Sequence, residues 1–254
     1  MLNLSTASDA MATTADALLG GRVRLSQPAT GYRVAIDPVL LAAAVPARAN
    51  DRVLELGSGA GAAALCLARR VPDCRITGLE IDPEMVVLAR ANGRGNGLAE
   101  RVDFVAGDVL APPPEIAAGG FDHVFANPPH LPAAAADASP YPGKAAAVVE
   151  GAANLAAWLE AMLALVLRKG RLTLIHRADR LDEVLARLDG RAGETVVFPL
   201  WPGRGKPAKR VIISARRGVG RPFRLAAGLV LHADGVQFTP QAEAVLRDAA
   251  AIDL

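Results

Sequence analysis

From Asp51 onward the chain alternates short apolar runs with longer helical stretches. Arg52–Leu56 reads as a strand, followed by an apolar helix to about Arg70. Arg75–Glu80 reads as a second strand, closed by Asp82-Pro83-Glu84. In that tripeptide Asp82 can cap a helix, Pro83 suits its first position and Glu84 suits its dipole. The helix runs to about Asn92, and the Gly93–Gly97 region stops it. Val102–Ala106 and Phe121–Ala126 read as the third and fourth strands, and Ala145–Leu167 as a long helix ended by Arg168-Lys169-Gly170. Then come a strand at Arg171–His176, a helix at Asp179–Leu188, and strands at Thr195–Phe198 and Arg210–Ala215. Such alternation predicts an α/β fold with a parallel, doubly wound sheet. Residues 1–16 are small and polar and predict a frayed terminus; residues 131–147, rich in Ala and Pro without periodicity, predict a mobile loop beside a site.

Composition narrows the class. With 254 residues, 52% hydrophobic and 21% charged, the chain can bury a sizeable core, which excludes general disorder. Two cysteines, Cys66 and Cys74, exclude a disulfide scaffold and a paired-cysteine zinc site. No His/Asp/Glu set has metal-ligand spacing, so no metal is expected. Every apolar run is too short to span a membrane, and Met1–Asp16 lacks the pattern of a secretory signal; a cytoplasmic location is expected.

Charge is unevenly spread. Between Trp201 and Arg224 lie eight basic residues and no acid: Arg204, Lys206, Lys209, Arg210, Arg216, Arg217, Arg221 and Arg224. Residues 225–254 sum to −3, and so do the first 200, although the whole chain is +2. A concentrated positive segment points to an anionic partner; a solvated face is the alternative. Of the 28 basic residues 24 are Arg, alongside abundant Ala and Gly, so the preference for Arg reflects GC-rich coding rather than recognition.

Two segments carry candidate chemistry. Glu55-Leu56-Gly57-Ser58-Gly59-Ala60-Gly61 joins the first core strand to its helix, and its glycines allow close backbone approach to a ligand. The spacing is neither that of a dinucleotide turn nor that of a phosphate loop. Glu55 would repel a diphosphate and suits a ligand with an amino group. Glu80 ends the second strand, where a carboxylate can accept both ribose hydroxyls. Asp108 follows the third and can bind an adenine amine. Together they imply an adenosine with a cationic tail, S-adenosylmethionine. The second segment, Asn127-Pro128-Pro129-His130, ends the fourth strand at the same sheet edge. Its prolines make a rigid turn in which the Asn127 amide oxygen and the Pro128 carbonyl can accept from one planar amine. Methyl transfer to that nitrogen is mainly a matter of positioning.

At these residues the chain resembles class I S-adenosylmethionine-dependent methyltransferases of the N-P-P-[YF] type, and within them the bacterial tRNA(Val) adenine N6-methyltransferase family. The likeness extends to Gln27–Ala42, Phe198-Pro199-Leu200, Lys209-Arg210-Val211 and Leu229–His232. It implies a Rossmann-like, mostly parallel seven-stranded sheet with an antiparallel last strand, helices on both faces, and one domain over 17–254. Within that domain, 17–50 would pack on the cofactor side, 51–216 form the core and 217–254 a C-terminal extension. By the resemblance Glu55, Gly57, Ser58, Gly59, Gly61, Glu80, Ile81, Asp108 and Val109 would hold the cofactor, with Asn127, Tyr32 and Asp37 beside it; a buried tyrosine and a helix-capping Asp-Pro are the alternatives for the last two. Asn127, Pro128, Pro129 and His130 would receive the target base, and Arg204, Lys206, Lys209 and Arg210 would contact tRNA. His130 stands where the family has Tyr or Phe. His123, His176 and His232 read as structural, and Trp158 and Trp201 as packing residues.

Two other functions fit the motif. A protein glutamine N5-methyltransferase uses the same turn, but such enzymes resemble a core preceded by a helical domain, and about 50 residues precede the core here. A non-catalytic, cofactor-bound RNA-binding module would not need an intact Asn127-Pro128-Pro129.

Overall fold

The computed structural model describes residues 11–30, 33–130, 153–220, 222–233 and 237–254. Strands β1 (Thr13–Leu18) and β2 (Val23–Pro28) pair antiparallel in a hairpin of their own, ahead of helix α1 (Asp37–Ala44). Strand β1 thus begins inside the stretch expected to be frayed. Its alternate residues Thr14, Asp16 and Leu18 are half-buried, a two-residue period that its small polar composition disguised. Asp16 then accepts from Gln27 and Arg33, which ties the hairpin to the segment before α1.

The core follows in order: β3 (Arg52–Leu56), α2 (Ala62–Arg70), β4 (Arg75–Glu80), α3 (Pro83–Gly95), β5 (Val102–Ala106), α4 (Pro114–Ala117), β6 (Phe121–Ala126), α5 (Leu155–Leu165), β7 (Val166–Arg177), α6 (Leu181–Leu188), β8 (Ala192–Gly203) and β9 (Arg210–Arg217). Asp82 caps α3 as expected, accepting from the Glu84 amide at 2.9 Å. The expected long helix ends at Leu165, and its N-terminal part, like the loop at 131–147, lies outside the described residues. Arg168-Lys169-Gly170 is part of β7 rather than a helix stop, because Val166 is already paired with Phe121 of β6.

The seven core strands lie in the order β8-β9-β7-β6-β3-β4-β5, all parallel except β9, which runs antiparallel to both neighbours. Two short strands, β10 (Arg224–Leu225) and β11 (Leu229–His232), extend the sheet to nine by pairing with β8. Helix α7 (Pro240–Asp248) closes the chain. Alternate residues of each strand enter opposite apolar layers. Val53, Phe125, Ile175 and Ile212 join α1, α2, α3 and α7, while Leu54, Leu56, Val124 and Leu174 join α4, α5 and α6. Among the described residues no helix is long and apolar enough to cross a membrane.

The register sets up the site. Leu56 sits beside both Leu79 and Ala126, and Glu80 beside Ala106, so β3, β4, β5 and β6 end at one edge. Because β9 is antiparallel, its first residue, Arg210, lies at that edge too, between Arg177 and Leu200. Asparagines fasten the hairpin nearby. The Asn96 and Asn92 side chains each accept from and donate to the backbone of Arg24 and Ser26, at 2.7–2.9 Å. Four residues of helix rise about 6 Å and two residues of strand rise about 6.7 Å, so the two spacings match.

Candidate active site

The turn at Gly57–Gly61 is pinned to the neighbouring strand by its backbone. The Gly57 and Ser58 amides donate to the Leu79 carbonyl at 2.8 and 3.1 Å, and the Gly61 amide to the Ser58 carbonyl at 2.8 Å. Gly57 and Gly61 have left-handed φ of +67° and +86°, and a Cβ on either would come within 2.6 Å of the Trp158 or the Phe104 ring, respectively. Gly59 is different. Its φ is +52°, yet a Cβ there would meet nothing within 4 Å. The turn is packed at its ends and open at its middle.

Glu80 bridges this turn and the start of α3: Oε2 accepts from the Gly59 amide at 2.8 Å and Oε1 from the Asp82 amide at 3.0 Å. Glu55 lies deeper, only 4% exposed, with Oε2 accepting from the Ala64 amide at 2.9 Å inside the first turn of α2. Burial pushes its carboxyl well above the ordinary carboxylate range, against the pull of the Ala64 amide and with a further push from Glu80. Glu55 therefore anchors α2 under the turn, an engagement its expected contact with an amino group did not anticipate. Asp108 is half-buried and accepts from the Leu110 amide at 2.9 Å; Val109 behind it is buried. Ile81, 66% exposed, offers apolar surface beside Glu80. Tyr32 lies outside the described residues.

Asn127-Pro128-Pro129-His130 leaves the end of β6 beside the glycine turn. The Asn127 Oδ1 is buried without a hydrogen-bond partner among the described residues, as is the Ser58 Oγ. A buried acceptor left open in this way fits a ligand that brings an N–H. The fourth position has neighbours on two sides. His176 of β7, fully buried, lies with Nε2 3.3 Å from the Pro129 carbonyl, which makes it the donor, and its ring meets His130 edge-on at 5.5 Å. Asp37 lies with Oδ2 3.7 Å from His130 Nε2 and accepts from Arg210 Nε at 3.2 Å through the same oxygen. Burial, followed by the charges of Arg210, His176 and Arg177, pulls His130 down to about 3, so the imidazole is neutral near pH 7.

Several expectations change here. Asp37 does not cap α1; Ile36 is in the capping position, and the Asp37 carboxylate pairs with Arg210 instead. Arg210, grouped by sequence with cations for tRNA, is thereby half-buried in the site. Arg216 pairs with Glu194, and Arg217 donates to the Val166 and Ala164 carbonyls, so both are engaged in the fold. Arg204, Lys206 and Lys209 are exposed on the β8–β9 loop. That loop leaves the sheet at the same edge as Asn127, and a groove of about 520 Å³ opens there among Trp201, Arg204, Lys206 and Val230. Trp158 and Trp201 are packing residues as expected; Trp201 Nε1 donates to the Ala227 carbonyl at 3.0 Å. Sequence reasoning missed Asn92, whose Nδ2 donates to the Ala60 carbonyl of the glycine turn at 2.9 Å, and the hold of His176 on Pro129. The sequence carried no signal for the first, because Asn92 read as the end of its helix and its burial depends on the β1–β2 hairpin.

Strand order, glycine turn, following carboxylates and N-P-P turn together define a class I methyltransferase. A Methyltransferase domain family matches residues 53–140. The chain is similar to a tRNA1(Val) (adenine(37)-N6)-methyltransferase of Aeromonas hydrophila, 31% identical over 206 residues that cover 80% of this chain and 84% of that protein. It is also similar to a release factor glutamine methyltransferase of Chlorobaculum tepidum, 34% identical over 96 residues, but the match spans only 37% of this chain and 33% of that protein. A solved structure of a predicted O-methyltransferase from Agrobacterium tumefaciens is similar over 85% of this chain and 98% of its own, with 26% identity and a TM-score of 0.70. The chain belongs to the tRNA1(Val) (adenine(37)-N6)-methyltransferase family and is an S-adenosylmethionine-dependent methyltransferase.

Proposed function

We propose that the protein methylates the N6 amine of an adenine in tRNA, next to the anticodon. The observation that carries this reading is the open, buried Asn127 acceptor at the edge that also bears the exposed cations Arg204, Lys206 and Lys209. The residues present fit the cofactor: the open side of Gly59 leaves room for it, Glu80 suits its ribose, Asp108 and Ile81 suit its adenine, and Asn127 closes the site. S-adenosylmethionine supplies a methyl group on a sulfonium. The chain's own task is to hold the amine in line with that carbon. Asn127 Oδ1 and the Pro128 carbonyl accept its two N–H groups, which turns the nitrogen lone pair toward the methyl group. His130 offers a flat face to the base. The loop cations supply phosphate contacts, which a glutamine-bearing protein would not need. A tRNA substrate implies a cytoplasmic protein.

The test is mass spectrometry of tRNA nucleosides from a deletion strain and its parent. Loss of N6-methyladenosine from one tRNA, restored by the purified protein with S-adenosylmethionine, supports the reading. An unchanged tRNA profile with loss of methylglutamine from a protein would replace it.

A further inference from the structure

The groove of about 520 Å³ beside the β8–β9 loop has a floor and a rim of different chemistry. Trp201 of β8 and Val230 of β11 are register partners, so their side chains stand side by side on one face of the sheet, and both line the groove. The indole is fixed along one edge. Its Nε1 donates to the Ala227 carbonyl at 3.0 Å, and Gly228, with a left-handed φ of +81°, passes so close that a Cβ there would lie 2.8 Å from Nε1. That packing still leaves Trp201 only half-buried. The rim is cationic. Arg204 and Lys206 are exposed, and no acid lies between Trp201 and Arg224. The Lys206 stem lies over Gly203, where a Cβ would be 3.5 Å from its Cδ, so the ammonium is carried to the edge of the groove. An aromatic floor under a cationic rim matches a nucleotide, a flat base joined to phosphates. The volume is in the range of small-ligand sites.

The place of the groove in the sheet excludes the target base itself. Strand β8 lies three strands from β6, about 14 Å across the sheet at 4.7–4.9 Å per strand, yet on the same edge as Asn127. We infer that the groove is a second nucleotide subsite: an unpaired base of the loop that carries the target adenine stacks on Trp201 against Val230, with its phosphates at Arg204 and Lys206. This rests on the tRNA reading above and deepens it, because there the loop cations only supply phosphate contacts. A base inside an A-form stem has no free face, so the subsite selects single-stranded loop over stem.

Fluorescence reads the stack directly. In Trp158→Phe, where Trp201 is the one tryptophan left in the chain, tRNA purified from the deletion strain quenches the emission as it binds. Emission unchanged at saturating tRNA overturns the inference. Affinity then tests the role. Trp201→Ala weakens tRNA binding by about 5- to 150-fold, the range for loss of one stacked base. The slope of log affinity against log salt stays that of the wild type, since no phosphate contact is removed. Trp201→Phe keeps a stacking face but loses the indole N–H, and it binds tRNA nearly as well as the wild type. A merely structural Trp201 would lose affinity in both variants, and that result overturns the subsite. Wild-type protein that binds tRNA no better than Trp201→Ala removes the subsite and leaves the tRNA reading standing; wild-type protein that binds no tRNA removes both. If Trp201→Ala does not fold, quenching of the intact Trp201 decides.

Discussion

The two halves of the site are built in opposite ways. The cofactor half is local: one strand, a five-residue turn and the ends of the next two strands, held by backbone amides that donate to Leu79 and Glu80. The target half is assembled from afar. Its tetrapeptide is fastened by His176 from β7 and flanked by Asp37 from α1, which pairs with Arg210 from β9. A local half can hold the same cofactor under many different flanks. A remote half binds the geometry of methyl transfer to the packing of the whole sheet, and there a change of residue can alter the target without altering the cofactor.

The sharpest way to break this comparison is Asn127→Ala. Turnover should fall by about a hundredfold or more, on the order of 3 kcal/mol, while calorimetric affinity for S-adenosylmethionine stays nearly intact. A parallel loss of affinity would mean the halves are not separable. Glu80→Ala should do the reverse, weakening cofactor binding by about 1.5–3 kcal/mol through loss of charged hydrogen bonds. Unchanged affinity would take Glu80 out of the site.

Within the cofactor turn the glycines divide in the same spirit. Alanine at Gly59 meets open space, so its cost to the fold is only that of a left-handed residue, about 1–2 kcal/mol. Alanine at Gly61 must also displace the Phe104 ring, which adds about 1–3 kcal/mol of overpacking. Denaturant melts should show the larger loss at Gly61, and titration with cofactor the larger loss at Gly59. If both lose stability alike, the middle of the turn is not the open face.

The comparison also explains what could be read from the chain alone. The cofactor half was legible because its chemistry lies in contiguous residues, from Glu55 to Gly61, with Glu80 ending the next strand. The seven core strands were legible for a similar reason, since each buried strand is a short apolar run between turn signals. Strand β1 was not, because Thr13–Leu18 is half exposed and shows alternation without hydrophobicity. Nor were the end of α5 at Leu165 and the two edge strands, which depend on pairing with β6 and β8. Asp37 and Arg210 were each noticed singly and not as a pair. One seemed a helix cap or cofactor neighbour and the other a phosphate ligand, and only antiparallel β9 brings them together.

That pairing sharpens the smallest expected effect, the salt dependence of RNA binding. Four cations were grouped by sequence, but three, Arg204, Lys206 and Lys209, stand exposed on the β8–β9 loop, whereas Arg210 is held by Asp37. Each lost phosphate contact flattens the slope of log affinity against log salt by about 0.7 units for single strands and about 0.9 for duplex. Neutralising the three loop residues together should therefore reduce the slope by about 2–3 units, with kcat at saturating RNA and cofactor affinity unchanged. Substituting Arg210 alone should leave the slope almost unaltered and lower kcat, because its guanidinium serves the target half. Filter-binding titrations across salt concentrations, run beside single-turnover rates, separate the two outcomes. A slope that falls with Arg210 and not with the loop would return Arg210 to the RNA surface and leave the loop as a solvated face.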